Sequence, residues 1–263
     1  MDRVSTGIAG LDRVIEGGIP RGRSTLIKGV SGSGKTTMGL MFLAQGASEN
    51  QKGAYFTLEQ GSSEIISENL RLLPNLKEHV ESGLISFFDR SIPNDILCKP
   101  DVKALFDDAK AHGNPRGKSD IKDPKQFEKF IDSMFRQMSR EGHTRLVIDS
   151  LNSLGRKNRL MLKSLNQRYD PEDHYELVLN IIQKAKALGI TTYLLSEVSS
   201  LTASCESYES FLADGIVELD INDAMHIRVV RIRKMRATNH TLKPYMFEFV
   251  EGRGIEVNPT RVL

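Results

Sequence analysis

Two kinds of run alternate along the chain. Short, largely apolar runs bounded by glycine, proline or polar residues mark buried strands: Ser24–Lys28, Lys52–Glu59, Leu84–Phe88, Arg145–Asp149 and Ile190–Ser196. Longer runs lie between them. Lys35 to Ala47 is a mostly apolar helix carrying Met38, Leu40, Met41, Phe42, Leu43 and Ala44. Ser62 or Ser63 caps the next, with Ile65, Ile66, Leu70 and Leu73 on its apolar face. Asp123 as N-cap, Pro124 at N1 and Gln126 at N3 open a helix with Phe127, Phe130, Ile131, Met134, Phe135 and Met138 at helical spacing, ended by Gly142. That aromatic and methionine stripe reads as core packing, not a cofactor box. Asp170 and Pro171 open a further helix, with Leu177, Val178, Ile181, Ile182, Ala185 and Leu188 closing on Gly189. Strands alternating with helices predict an α/β fold, a mostly parallel sheet covered on both faces. Gly215–Asp220, His226–Arg233 and Tyr245–Val250 alternate apolar and polar residues in part, predicting a terminal antiparallel meander.

One stretch breaks the pattern. Between Ile92 and Asp123, Pro93, Pro100 and Pro115 interrupt the chain, and residues 113–120 are polar and turn-like. We expect 92–123 to be an exposed loop or insertion within a single domain spanning 1–263.

Composition narrows the picture. Hydrophobic residues make up 39% and charged residues 27% of 263, as in ordinary soluble globular proteins. The net charge of +2 demands neither nucleic acid nor an anionic membrane. Cys98 and Cys205 lie far apart, so neither a disulfide framework nor a zinc site follows. The N-terminus lacks an apolar signal core, and no run approaches the roughly 18 apolar residues of a membrane span, so a cytoplasmic protein is expected.

The chemistry is concentrated in Gly29-Val30-Ser31-Gly32-Ser33-Gly34-Lys35-Thr36, the P-loop pattern, set between a strand and a helix as the motif requires. Glycines let the backbone turn its N–H groups inward around an anion. Gly29, Ser31, Gly32, Ser33, Gly34, Lys35, Thr36 and Thr37 are the expected nucleotide-binding residues. Lys35 reaches the β/γ-phosphates, Thr36 can ligand Mg²⁺, and the positive end of the following helix faces the phosphates. Alone, Leu146-Val147-Ile148-Asp149 is an ordinary strand ending in a carboxylate; downstream of a P-loop it is the Walker B arrangement, with Asp149 serving Mg²⁺ or its water. Glu59 and the Ser196-Glu197 pair end other strands. A basic run holds Arg156, Lys157, Arg159, Lys163 and Arg168. It fits a solvated surface, the plainer reading, or a pore-facing contact with a polyanion.

Thr6-Gly7-Ile8 with Gly10-Leu11-Asp12, then Gly17-Gly18-Ile19-Pro20 and Gly22, then the P-loop, resemble the start of a RecA-type ATPase core, most similar to its KaiC branch. Phe211 to Leu219 and Arg231 to His240 also resemble that branch. The resemblance implies a RecA-like P-loop NTPase fold, with a twisted sheet, and Mg²⁺-dependent ATP hydrolysis in a homo-oligomeric ring, a hexamer in that family. It also implies that Lys234 and Arg236 act in trans on the neighbouring subunit's nucleotide, with Arg236 stabilising charge on the transferring phosphoryl group. Where the family has two successive glutamates, this chain has Glu59-Gln60; Glu59 remains a workable general base, and the missing second carboxylate implies slower hydrolysis. The family's clock protein has two such domains and a phosphorylated tail. This chain has one and ends at Leu263, so no circadian role is expected, and an autokinase activity has no identified acceptor. Two alternatives stay open. One is a DNA repair or recombination ATPase binding single-stranded DNA, opposed by the near-neutral charge and by the Ser-rich segment from Ser199 to Phe211, which lacks Lys and Arg. The other is a nucleotide-sensing scaffold with little turnover and a protein partner in signalling.

Overall fold

The computed structural model describes residues 2–88, 124–156, 171–198 and 208–262. A two-stranded antiparallel ribbon, β1 (Arg3–Val4) with β2 (Ile19–Pro20), brackets a short helix, α1 (Ala9–Val14). The main elements then run β3 (Ser24–Gly29), α2 (Lys35–Ser48), β4 (Lys52–Thr57), α3 (Ser62–Asn69), α4 (Leu76–Glu81) and β5 (Ile85–Phe88). After the 92–123 stretch, which lies outside the described residues, come α5 (Pro124–Glu141), β6 (His143–Asp149), α6 (Pro171–Ala187) and β7 (Thr191–Glu197). The chain closes with α7 (Tyr208–Leu212), β8 (Gly215–Asn222), β9 (Ile227–Met235), β10 (Tyr245–Val250) and β11 (Gly254–Val262).

Among the described residues one nine-stranded sheet is ordered β11-β10-β9-β8-β3-β7-β6-β4-β5. β3 is central, parallel to β7 on one side and β8 on the other; β6, β4 and β5 continue the parallel half. β8 to β11 pair antiparallel, which is the expected meander with β11 as a fourth strand. β11 is hard to see in the sequence, because Glu256, Asn258 and Pro259 interrupt its alternation. The two-residue strands and α1 are too short to carry a period.

The period-two geometry of a strand sends successive side chains to opposite faces, and the core divides accordingly. Tyr55, Val147, Tyr193 and Leu195 join α2 and the C-terminal strands in one buried cluster. Ala54, Phe56, Leu146, Ile148 and Leu194 join Phe127, Ile131 and Met134 of α5 and Val178 and Ile181 of α6 in the other. The α5 stripe is therefore core packing, as its spacing predicts. Gly142 and Gly189, expected as helix stops, have φ values of 75° and 69°. The expected caps Asp123 and Asp170 lie outside the described residues, as do Cys98 and Cys205. At α3 the N-cap position is Gly61, and Ser62 and Ser63 are the first helical residues.

α2 is apolar on nearly all sides because it is covered on nearly all sides. A Cβ on Gly39 would lie 2.9 Å from Val147 Cγ1, so this glycine lets the helix approach the sheet. Arg145 is buried beside it. Its guanidinium lies 4.8 Å over the Phe42 ring and donates to Ser5 O at 2.8 Å, Phe42 O at 2.8 Å and Glu49 Oε2 at 2.8 Å. This one side chain ties the N-terminal segment and the C-terminal half of α2 to β6.

Candidate nucleotide site

The site forms at the C-terminal ends of the parallel strands. β3 ends at Gly29, a tight turn follows, and α2 begins at Lys35. Gly32 and Gly34 have φ of 75° and 102°, a region closed to most side chains. A Cβ on Gly34 would also lie 2.8 Å from Phe249 Cζ, and one on Gly29 would lie 2.6 Å from Leu219 O. The glycines are thus required by conformation and by space. Met38 N–H is the donor to Gly34 O, so the amides of Lys35, Thr36 and Thr37 precede the first intrahelical bond and form a positive helix end. Ser31 is exposed at the rim, while Ser33 is buried and its Oγ has no hydrogen-bond partner.

Lys35 Nζ donates to Gly29 O at 2.9 Å and Val30 O at 2.8 Å, so the ammonium lies over its own loop. Burial lowers its pKa, opposed by the nearby charges of Glu197, Asp149 and Glu59. Thr36 Oγ1 donates to Asp149 Oδ2 at 2.9 Å, joining two residues 113 positions apart. Thr37 spends its hydroxyl on Asn69 Oδ1 at 3.0 Å, which leaves its main-chain N–H as what it can offer a phosphate.

Asp149 ends β6, in register with Thr57 of β4 and Leu195 of β7. Burial raises its pKa, and the bonds from Tyr55 and Thr36 oppose the rise. The donor set suits a small hard cation: one hydroxyl and one carboxylate, with the remaining ligands left to phosphates and water, is how Mg²⁺ is commonly held. No group of three or more His, Cys, Asp or Glu side chains able to hold a metal occurs among the described residues.

Glu59 lies in the turn two residues beyond β4, not within the strand. Its Oε1 accepts from Ser150 Oγ at 3.2 Å, from Ser153 Oγ, and from the Arg156 guanidinium at 2.6 Å. Gln60 Nε2 donates to Glu68 at 3.4 Å. Glu197 ends β7 beside Gly29, and Asn152 clamps its backbone through Glu197 N at 2.7 Å and Glu197 O at 3.0 Å. Ser150, Asn152, Ser153 and Tyr55 were not singled out from the sequence. They follow Asp149 or sit on a neighbouring strand, and only the sheet register makes them neighbours of the site. Arg156 is the one member of the basic run among the described residues.

Lys234 and Arg236 are not brought to the P-loop of their own chain. Lys234 pairs with Ile216, and Gly215 pairs with Thr25 at the start of β3, whereas the P-loop follows Gly29, about 13 Å farther along the strand. Lys234 Nζ donates to Ser210 O at 3.1 Å and Ala213 O at 2.6 Å, and burial, then Arg236, lowers its pKa. Arg236 is 57% exposed in its side chain and pairs with Asp214 Oδ1 at 3.1 Å.

Comparison with known proteins agrees with this fold. The model of the KaiC ATPase family matches residues 4–262. The UPF0273 protein of Aeropyrum pernix is 26% identical across all of this chain and 96% of its own length. The circadian clock oscillator protein KaiC of Prochlorococcus marinus is 27% identical over 98% of this chain, which spans 46% of that longer protein. A KaiC-like protein of Pyrococcus horikoshii superposes with a TM-score of 0.72 at 27% identity, over 98% of this chain and 99% of that one. The RecA-like α/β sheet with its antiparallel C-terminal strands is therefore that of a known group, and the chain belongs to the KaiC family of ATPases.

Proposed function

We propose that this chain binds ATP with Mg²⁺ and hydrolyses it, as one ATPase domain assembled in a ring, a hexamer in our reading, with nucleotide sites shared between subunits. The observation that carries the proposal is the Thr36–Asp149 hydrogen bond at the mouth of the P-loop. It sets a hydroxyl and a carboxylate side by side near the positive end of α2, which supports a site there for a cation together with a phosphate. Lys35 exchanges its loop carbonyls for phosphate oxygens, and Thr36 and Asp149 hold the metal. Held by those two residues, Mg²⁺ would supply neutralisation of the charge that develops on the phosphates. Glu59 orients and deprotonates the attacking water. Arg236 with Lys234 completes the neighbour's site; their place at the end of the sheet opposite the P-loop supports a role in trans, since they cannot serve their own P-loop. The 92–123 stretch is taken as an insertion in that domain, and the cytoplasm as its compartment. No helix among the described residues is long and apolar enough to cross a membrane.

The test is ATP turnover by the purified chain, with oligomeric mass recorded with and without Mg²⁺-ATP. Turnover together with an ATP-stabilised ring is expected. A monomer that hydrolyses ATP equally well without Mg²⁺ overturns both the shared site and the metal. A second reading, tight binding with little turnover, is favoured by Gln60 and by the three donors that already occupy Glu59; it predicts a protein partner, and Gln60→Glu then raises turnover. Binding to single-stranded DNA is the third reading, and a steep salt dependence of that binding would identify it.

A further inference from the structure

Tyr55 carries a buried polar group at the site that the proposed chemistry leaves unused. It sits in the middle of β4, paired with Val147, and is fully buried against Phe87, whose ring lies 5.2 Å away. Phenylalanine would fill that space equally well. What tyrosine adds is a hydroxyl, and a buried hydroxyl needs an acceptor. Tyr55 Oη donates to Asp149 Oδ2 at 2.5 Å, the same oxygen that accepts from Thr36. Both bonds fall on Oδ2, so the carboxylate plane is fixed while Oδ1 takes no part in either. Thr36 donates its proton to Asp149 and still has lone pairs for a cation, since a hydroxyl is donor and acceptor at once.

We infer that Tyr55 is a positioning residue for the metal: its hydroxyl, held rigid by the Phe87 stack, aims the Asp149 carboxylate at Mg²⁺. The inference rests on the proposed reading of the site as one for Mg²⁺-ATP. Groups that orient a metal ligand typically change metal affinity 10- to 100-fold when removed, without touching the metal. Tyr55 Oη bonds to Asp149, whereas metal-free nucleotide binding would depend on the loop amides and Lys35.

The experiment titrates binding of a fluorescent ATP analogue against free Mg²⁺, from EDTA upward, in the wild-type chain, Tyr55→Phe and Phe87→Leu. Tyr55→Phe is expected to keep its affinity in EDTA within about two-fold and to need about ten-fold more Mg²⁺ for half-maximal enhancement. Phe87→Leu, which loosens the ring but keeps the hydroxyl, moves the Mg²⁺ midpoint less. In an Asp149→Ala background, adding Tyr55→Phe is expected to shift the midpoint no further. An unchanged midpoint in Tyr55→Phe overturns the inference while leaving ATP binding intact. Equal losses with and without Mg²⁺ overturn it too, because they mark a packing role. Absence of nucleotide binding by the wild-type chain overturns the ATP reading itself, and the inference with it.

Discussion

Glu59 and Arg156 meet at 2.6 Å, with Ser150 and Ser153 on the same carboxylate oxygen, so the candidate base is held in place before any nucleotide arrives. The pair is solvent-exposed, 65% for Arg156 and 41% for Glu59, and such pairs add only about 0–1 kcal/mol to stability. Its consequence therefore lies in chemistry and not in folding. Glu59→Gln keeps the shape and removes the base. We expect ATP affinity to stay within about two-fold and turnover to fall by about 10²–10⁴. Unchanged turnover would remove Glu59 from its role.

Lys35→Ala removes the ammonium that now rests on the carbonyls of Gly29 and Val30. The loop keeps its shape, because Gly32 and Gly34 set its dihedrals and the helix end is built from main chain. Nucleotide binding is expected to be lost while the thermal midpoint of the apo chain hardly moves. Calorimetric titration with ATP checks the first point and a melting curve the second; retained binding would sink the P-loop assignment.

How far the sequence led can be judged from particular residues. The P-loop, β6 with Asp149 and the capped helices α5 and α6 were all legible, because each is written locally: a motif, a hydrophobic run, or a stop such as Gly142. The meander was legible up to β10 and lost at β11, where Asn258 and Pro259 break the alternation. In the sequence Tyr55 is one residue of the Lys52–Glu59 strand run. Its partner is 94 residues away, and nothing local marks a tyrosine that reaches a carboxylate from one that fills a core. Arg145 shows the same limit: nothing local marks it as buried, yet it is, stacked on Phe42 and bonded both to the N-terminal segment and to the C-terminal half of α2. Long-range register supplied what local pattern did not.

His143 opens β6 and is buried, and its pKa is lowered by that burial, partly offset by Glu141. The sign follows directly. The folded chain holds this histidine neutral more tightly than the unfolded chain does, so unfolding takes up a proton below the usual histidine pKa of about 6.5. Stability is full above that value and declines as the pH falls from it toward the folded pKa. His143→Gln is expected to flatten this part of the acid limb in denaturant titrations between about pH 7 and 5. An unchanged slope would show that other groups carry it.

Arg236 offers the sharpest test of a shared site. It stands at the end of the sheet opposite its own P-loop, paired with a buried Asp214 that also holds Arg23. In a head-to-tail ring each interface joins two different surfaces of the chain, which in the proposed ring are one subunit's P-loop and the neighbour's Arg236. Arg236→Ala is expected to lower turnover by about 10³ or more, the scale on which an arginine in trans acts on a transferring phosphoryl group. Lys35→Ala is inactive for a different reason, because it lacks the phosphate contact. Mixed in equal amounts, the two leave about one interface in four with an intact P-loop facing an intact Arg236. Turnover recovered on mixing, to a fraction of wild type near that share, identifies a site built from two subunits. If mixing restores nothing while mass measurements confirm mixed rings, Arg236 is no part of a shared site, and its pairing with Asp214 is structural.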